Sequence, residues 1–275
     1  MSQDMQGQLR KMQAKLENPV AYQLPLSEQW VPLNPLLGQT LKLQFSGNIY
    51  CIHCGRKISK SFNQGFCYPC FSTLAQCDMC IVKPEQCHYA DGTCREPDWG
   101  LQHCMQGHYV YLANSSGIKV GITRQTQIPT RWIDQGAVQA LPIMKVASRL
   151  ISGLVEIEIA KHVSDKTSWQ RMLKNQFQSV DLQVKKDELI KICSPVFTEI
   201  RERFGGSAIE LLPAEEPVTI NYPVIHYPEK VKSFNFDKTP VVSGILQGIK
   251  GQYLLFDNGV INIRKFAGYE VELVI

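Results

Sequence analysis

No stretch of the 275 residues approaches the ~18 uninterrupted apolar residues that a membrane helix needs. The N-terminus, MSQDMQGQLRKMQ, is polar where a secretory signal would be apolar. A cytosolic chain without a membrane span is the expectation. Charge of one sign is scarce too: the formal net charge is +4, which permits a nucleic-acid partner without requiring one. With 44% hydrophobic and 20% charged residues, the composition excludes wholesale disorder and a fibrous repeat. The length suits two or three compact units, since single domains run to roughly 100–150 residues.

Aliphatic periodicity is almost missing between residues 51 and 104, and that is where nine of the ten cysteines fall. In a reducing compartment such crowding points to metal or redox chemistry in preference to disulfides. Cys193 stands apart and reads as a small buried hydrophobe.

Cys51-Ile52-His53-Cys54-Gly55 and Cys67-Tyr68-Pro69-Cys70 form two CxxC pairs separated by twelve residues. A CxxC turn lets two sulfurs converge on one ion while backbone amides hydrogen-bond to them, and four thiolates select zinc over magnesium or calcium. Gly55 supplies backbone freedom after the second cysteine. A thioredoxin-type redox pair would be a single CxxC at a helix start. The second group, Cys77, Cys80, Cys87, Cys94 and Cys104 with His88, His103 and His108 nearby, holds more donors than one zinc ion takes. Cys77 and Cys80 with two of Cys87, Cys94 and Cys104 are the expected ligands, the remaining cysteine packing as a hydrophobe. An iron-sulfur cluster on four of the five is the alternative. Both groups can fill four positions, so the expected ions are structural. Around the first group, Arg56, Lys57 and Lys60 with Phe62, Phe66, Tyr68 and Phe71 form either a basic stacking surface for nucleic acid or a small core with a solvated face.

Along the chain, residues 1–50 read as an N-terminal β-rich segment of strands and proline-punctuated turns with one short helix, and residues 51–107 as the zinc-binding module. Residues 108–206 open with two apolar runs joined by Asn114-Ser115-Ser116-Gly117, a β-hairpin pattern, followed by helices expected over 151–163, 169–177 and 181–204. Residues 207–240 carry Pro213, Pro217, Pro223 and Pro228 and read as a linker or an arm over another surface. Residues 241–275 read as a small β unit, too short to be stable alone and expected to pair with the N-terminal strands. Its Lys250, Arg264 and Lys265 among aromatics suit either a nucleic-acid-binding barrel or plain core packing.

Tyr109-Val110-Tyr111 followed by Lys119-Val120-Gly121 across the short turn resembles the two motifs of the GIY-YIG nuclease superfamily. Arg131, ten residues after Gly121, matches that superfamily's catalytic arginine, and Glu156 its metal-binding glutamate. The likeness covers roughly residues 108–165. Nearly the whole chain also resembles a bacterial family of uncharacterised proteins, DUF2797, which shares the cysteine-rich front, the GIKVGIT segment and the β-rich tail. The resemblance implies an α+β fold: a cysteine-rich zinc module, then a small mixed α/β GIY-YIG-like domain, with paired β-rich ends. It implies a metal-dependent phosphodiester endonuclease acting on DNA or RNA. Tyr109 or Tyr111 would activate water, Arg131 would clamp phosphate, and Glu156 would hold Mg²⁺. Lys119 stands where the superfamily usually has a tyrosine and would need a lowered pKa to transfer a proton. Glu158, sharing a helix face with His162, competes with Glu156 for the metal role. The alternative function is a noncatalytic scaffold that binds nucleic acid or protein.

Overall fold

The computed structural model describes residues 4–163 and 168–275, an α+β arrangement of three sheets built from antiparallel pairs. The strand Thr40–Tyr50 is central to the largest sheet, because it is long enough to be paired on both sides. Tyr269–Val274 lies against one edge of it and Val241–Lys250 against the other. Asp4–Gln8 adds outside Tyr269–Val274, and Tyr253–Phe256 and Gly259–Asn262 continue beyond Val241–Lys250. The two ends of the chain therefore pair, as their individual shortness requires. Alternation sets the faces: Leu41, Leu43, Val271 and Leu273 are buried, while Lys42, Gln44, Glu270 and Glu272 between them are more accessible.

The Asn114–Gly117 turn closes a hairpin of His108–Asn114 on Ile118–Arg124 in the register Tyr111 to Gly121. Gln139–Val146 pairs with the other edge of His108–Asn114, which leaves Ile118–Arg124 at the sheet margin. Both faces of this sheet are covered. Val110 and Leu112 join a cluster with Ile151, Val155 and Ile159 of the helix Arg149–Ala160 and with Leu189, Phe197 and Ile200 of the helix Leu182–Phe204. Tyr111 and Ala113, pointing the opposite way, join the core of the terminal sheet. Ser148 and Asp181 cap the two helices, and the second ends at Gly205, whose φ of 96° suits glycine. Among the described residues no helix is long and apolar enough to cross a membrane.

Three details differ from the sequence pattern. The helix expected over 151–163 ends at Ala160, and the one expected over 169–177 spans only Trp169–Leu173, because Asn175 takes a positive φ of 56°. Residues 207–240 are not patternless: Ile209–Leu211 and Val218–Thr219 pair with Gln139–Val146, and Ile220, Tyr222 and Phe236 enter the terminal-sheet core. Strands of two or three residues are too short to show alternation.

The cysteine-rich residues form only short helices, Tyr68–Thr73, Met79–Val82 and Pro97–His103, and one short strand, Lys57–Ile58. They lean on the helix Arg149–Ala160. Gly153 there lies so close to the 84–85 backbone that an added Cβ would sit 2.6 Å from the Glu85 nitrogen.

Candidate functional site

Two tight turns bring Cys51, Cys54, Cys67 and Cys70 together, with their sulfurs all within 4.8 Å of one another. Gly55 has a φ of 72°, and its N–H donates to the Cys51 carbonyl at 2.9 Å, which closes the first turn. Cys67 heads the helix Tyr68–Thr73 and so carries the second pair on it. Burial raises the Cys51 thiol, but backbone N–H groups of Cys54, Cys67 and His53 outweigh it and pull it down to about 6. Cys70 goes the other way, raised by burial and by its three cysteine neighbours. A favoured thiolate at Cys51 beside a suppressed one at Cys70 is a pattern a divalent cation would resolve, since it stabilises every coordinated sulfur as an anion. Four sulfur donors with amide support fit a structural zinc ion.

Cys77 belongs with this group and not with the second. It is buried in one cluster with Cys51, Cys67 and Cys70, and its thiol interacts with Asn63 and Arg95. The second group surrounds a separate small cavity of about 10 Å³, lined by Cys80, Cys87, Cys94 and Cys104 with Asp78, His88 and Trp99. His103 stacks on Trp99, and His108 is fully buried with Nδ1 2.7 Å from the Gln106 carbonyl oxygen.

Between the cysteine-rich residues, the margin of the hairpin sheet and the terminal sheet runs a cleft of about 1010 Å³. Six successive residues of the marginal strand, Lys119 to Arg124, form one wall. Arg131 enters from the short helix Thr130–Asp134, and Glu156 and Arg149 from the helix Arg149–Ala160. Tyr111 lies beneath, fully buried, its hydroxyl donating to Gln135 Oε1 at 3.0 Å, with the Arg131 guanidinium near enough to act on it electrostatically. Its ring covers Gly121 so closely that a Cβ there would fall 2.6 Å from Cζ and from Oη. Burial pushes the Tyr111 phenol up to about 12, Arg131 opposing it and Glu156 adding to it.

Of the residues singled out from the hairpin motifs, Lys119, Arg131 and Glu156 thus line the cleft, and Tyr111 lies buried beneath it against Gly121. Tyr109 does neither: it is half-buried and absent from the cleft wall. Glu158 is turned to Lys161, with which it forms a short ion pair, and to His162 at 3.8 Å. Four further arginines line the cleft, Arg10, Arg124, Arg149 and Arg264, of which only Arg264 stood out in the sequence, as part of the terminal β unit. They are scattered through the sequence without a local motif, and only the pairing of the chain ends assembles them. With Lys11, Lys119 and Arg131 they make seven basic side chains against two carboxylates, Asp134 and Glu156, in a chain whose net charge is only +4. Asp134 is itself paired with Lys11.

The aromatic surface around the first cysteine group is divided. Phe66 is buried, Phe62 packs on Phe71 and Tyr68, and the Tyr68 ring remains exposed.

No curated protein and no solved structure matches the chain. Residues 38–271, from the central strand of the terminal sheet to its last strand and including both cysteine groups and the cleft-lining hairpin, match the family described as Protein of unknown function (DUF2797), and the chain belongs to that family.

Proposed function

We propose that this protein grips the phosphate backbone of DNA or RNA in the basic cleft, and that a GIY-YIG-like group there hydrolyses a phosphodiester. The observation that carries the reading is the convergence of Arg131 and Glu156, with Tyr111 buried beneath them, on a cleft with seven basic side chains. Arginine forks are suited to bind phosphate in two parallel hydrogen bonds, and a run of them follows a polyanion better than a single small ligand. Mg²⁺ held by Glu156 would polarise the phosphoryl oxygen and lower the pKa of a bound water. Arg131 would offset charge on the phosphate, and the buried Tyr111 beside it, fixed by its bond to Gln135, would support its position.

A noncatalytic reading has an observation of its own. The Tyr111 phenol, at about 12, is a poor base at neutral pH, since each unit of mismatch costs about 1.4 kcal/mol. Lys119 occupies the place of the superfamily's second tyrosine.

One experiment separates the two. The full chain is incubated with Mg²⁺ or Mn²⁺ and plasmid, single-stranded DNA or RNA, beside Arg131→Ala. Cleavage by the native chain should fall by roughly 100-fold or more in the variant, as expected for removal of a transition-state donor. Equal rates sink the enzyme reading. Binding without cleavage, weakening steeply with salt, would leave the scaffold.

A further inference from the structure

The cavity lined by Cys80, Cys87, Cys94 and Cys104 has no part in the reading above, yet it touches the cleft through one residue. Cys80 sits on the helix Met79–Val82, and Cys104 directly follows the helix Pro97–His103. Cys87 and Cys94 lie on segments of no regular structure, and binding an ion would draw their sulfurs in, since they are less tightly gathered than those of the first group. The volume of about 10 Å³ is that of roughly one water-sized sphere, too little for a four-iron cluster and enough for one cation. The nearby set Asp78, Cys80 and His88 also has its ligand atoms within 4.8 Å, but two of its members are already engaged. Asp78 takes Arg95 Nε at 2.8 Å and the Met79 N–H at 2.6 Å, and His88 has Nδ1 2.7 Å from Thr93 Oγ1 and Nε2 3.4 Å from Asp78 Oδ2. Among the described residues the four sulfurs make no comparable hydrogen bond beyond that of Cys94 Sγ to the Glu96 carbonyl at 3.6 Å.

Arg149 connects this cavity to the cleft. Its N–H donates to the Cys104 carbonyl at 2.8 Å, and its Nη2 donates at 2.6 Å to the carbonyl of Ile81, the residue after Cys80. Its guanidinium lies within electrostatic reach of both sulfurs, and of Arg131 and Glu156 on the other side. A zinc ion bound by four thiolates carries a net negative charge, which would favour a guanidinium held half out of water beside it.

We propose that Cys80, Cys87, Cys94 and Cys104 bind a second zinc ion, and that the loops so tied fix Arg149 in the wall of the cleft. The metal assignment stands alone; the role given to Arg149 rests on the nucleic-acid reading.

Zinc content of the full-length protein tests the first part. Two zinc ions per chain are expected, falling to one in Cys94→Ser and staying at two in Cys77→Ser and His88→Ala. One zinc in the native chain, loss of an ion from Cys77→Ser or His88→Ala, or iron with visible absorbance overturns it. Should Cys94→Ser fail to fold, Co²⁺ titration of the metal-stripped native chain replaces it. Two equivalents with thiolate charge-transfer bands are expected, and one equivalent overturns the site. For the second part, binding of a labelled oligonucleotide is followed against salt. Cys94→Ser and Arg149→Ala should each lower the log–log salt slope by about one, and the double variant should lose no more than either. Additive losses overturn the positioning role. A native chain that binds no oligonucleotide overturns it too, along with the nucleic-acid reading, while the zinc count still decides the metal site.

Discussion

Of the six side chains buried in the cluster of the cysteine-rich residues, four are Cys51, Cys67, Cys70 and Cys77, and only Phe66 and Leu74 are ordinary core hydrophobes. The two cores of the sheets contain instead Leu, Ile, Val and aromatic side chains in long contiguous clusters. A buried leucine or phenylalanine contributes roughly 1.5–3 kcal/mol toward folding, whereas a buried thiol without a metal suppresses its neighbours' ionisation and contributes little. The sheets can therefore fold by burial alone, and the cysteine-rich residues cannot. Yet the two share the cleft, because the helix Arg149–Ala160 is packed into the sheet by Val155 and Ile159 and into the cysteine-rich residues by Gly153.

Removing metal should break this comparison most sharply. A structural zinc supplies on the order of 10 kcal/mol of apparent folding free energy near neutral pH, more than the few apolar contacts in residues 51–107 can replace. After chelation, hydrogen exchange should rise throughout 51–107 while the amides of Thr40–Tyr50 and Tyr269–Val274 stay protected. Uniform loss of protection in the sheets would mean that the metal holds the whole chain together.

The same difference decides what could be read from sequence. Cys51, Cys54, Cys67 and Cys70 are legible because metal ligation needs ligands at fixed short spacings, which survive in one dimension. The hairpin is legible for a similar reason, as its turn residues and alternating runs are local. Cys77 groups with Cys80 in sequence because their spacing repeats the CxxC pattern, and only the fold shows it packed on the first group. The cleft as an assembly was not legible: Arg10 and Arg264 are brought to Arg131 by pairing between chain ends, from Asp4 with Val274 to Gln8 with Glu270, and a net charge of +4 averages the concentration away.

A buried cation tests whether the sheets depend on apolar burial as claimed. Lys250 is fully buried between the rings of Tyr222 and Tyr227, its Nζ 2.8 Å from Asn175 Oδ1, and burial pulls its pKa down to about 7. The unfolded lysine keeps its proton up to about pH 10.4. The folded state therefore bears the full penalty below pH 7, and stability rises with pH between about 7 and 10 as the unfolded state alone remains protonated. Lys250→Met should raise stability to urea at pH 6 by a few kcal/mol, less what the two rings return, and flatten the rise between pH 7 and 10. Urea midpoints at pH 6 and 9.5 measure both effects. Zinc content should not change. A variant less stable than the native chain at pH 6 would show that ring contacts and Asn175 outweigh desolvation, and the apolar account of this core would need revision.

The smallest expected effect lies where the cleft meets the sheet. Glycine inside a strand is ordinarily worse than alanine by about 0.5–1 kcal/mol, so Gly121 in Ile118–Arg124 needs a reason. The Tyr111 ring supplies it, occupying the space a side chain at 121 would take. Gly121→Ala should cost about 1–3 kcal/mol by forcing that ring aside, and should weaken its bond to Gln135 without altering the zinc count. Tyr111→Leu removes the obstructing ring, so Gly121→Ala in that background should become neutral or stabilising. The coupling between the two, read from thermal or urea unfolding of the four proteins, should then exceed about 1 kcal/mol. Additive effects would mean that the glycine answers to something other than Tyr111, and the close seat of the tyrosine beneath Arg131 would lose its explanation.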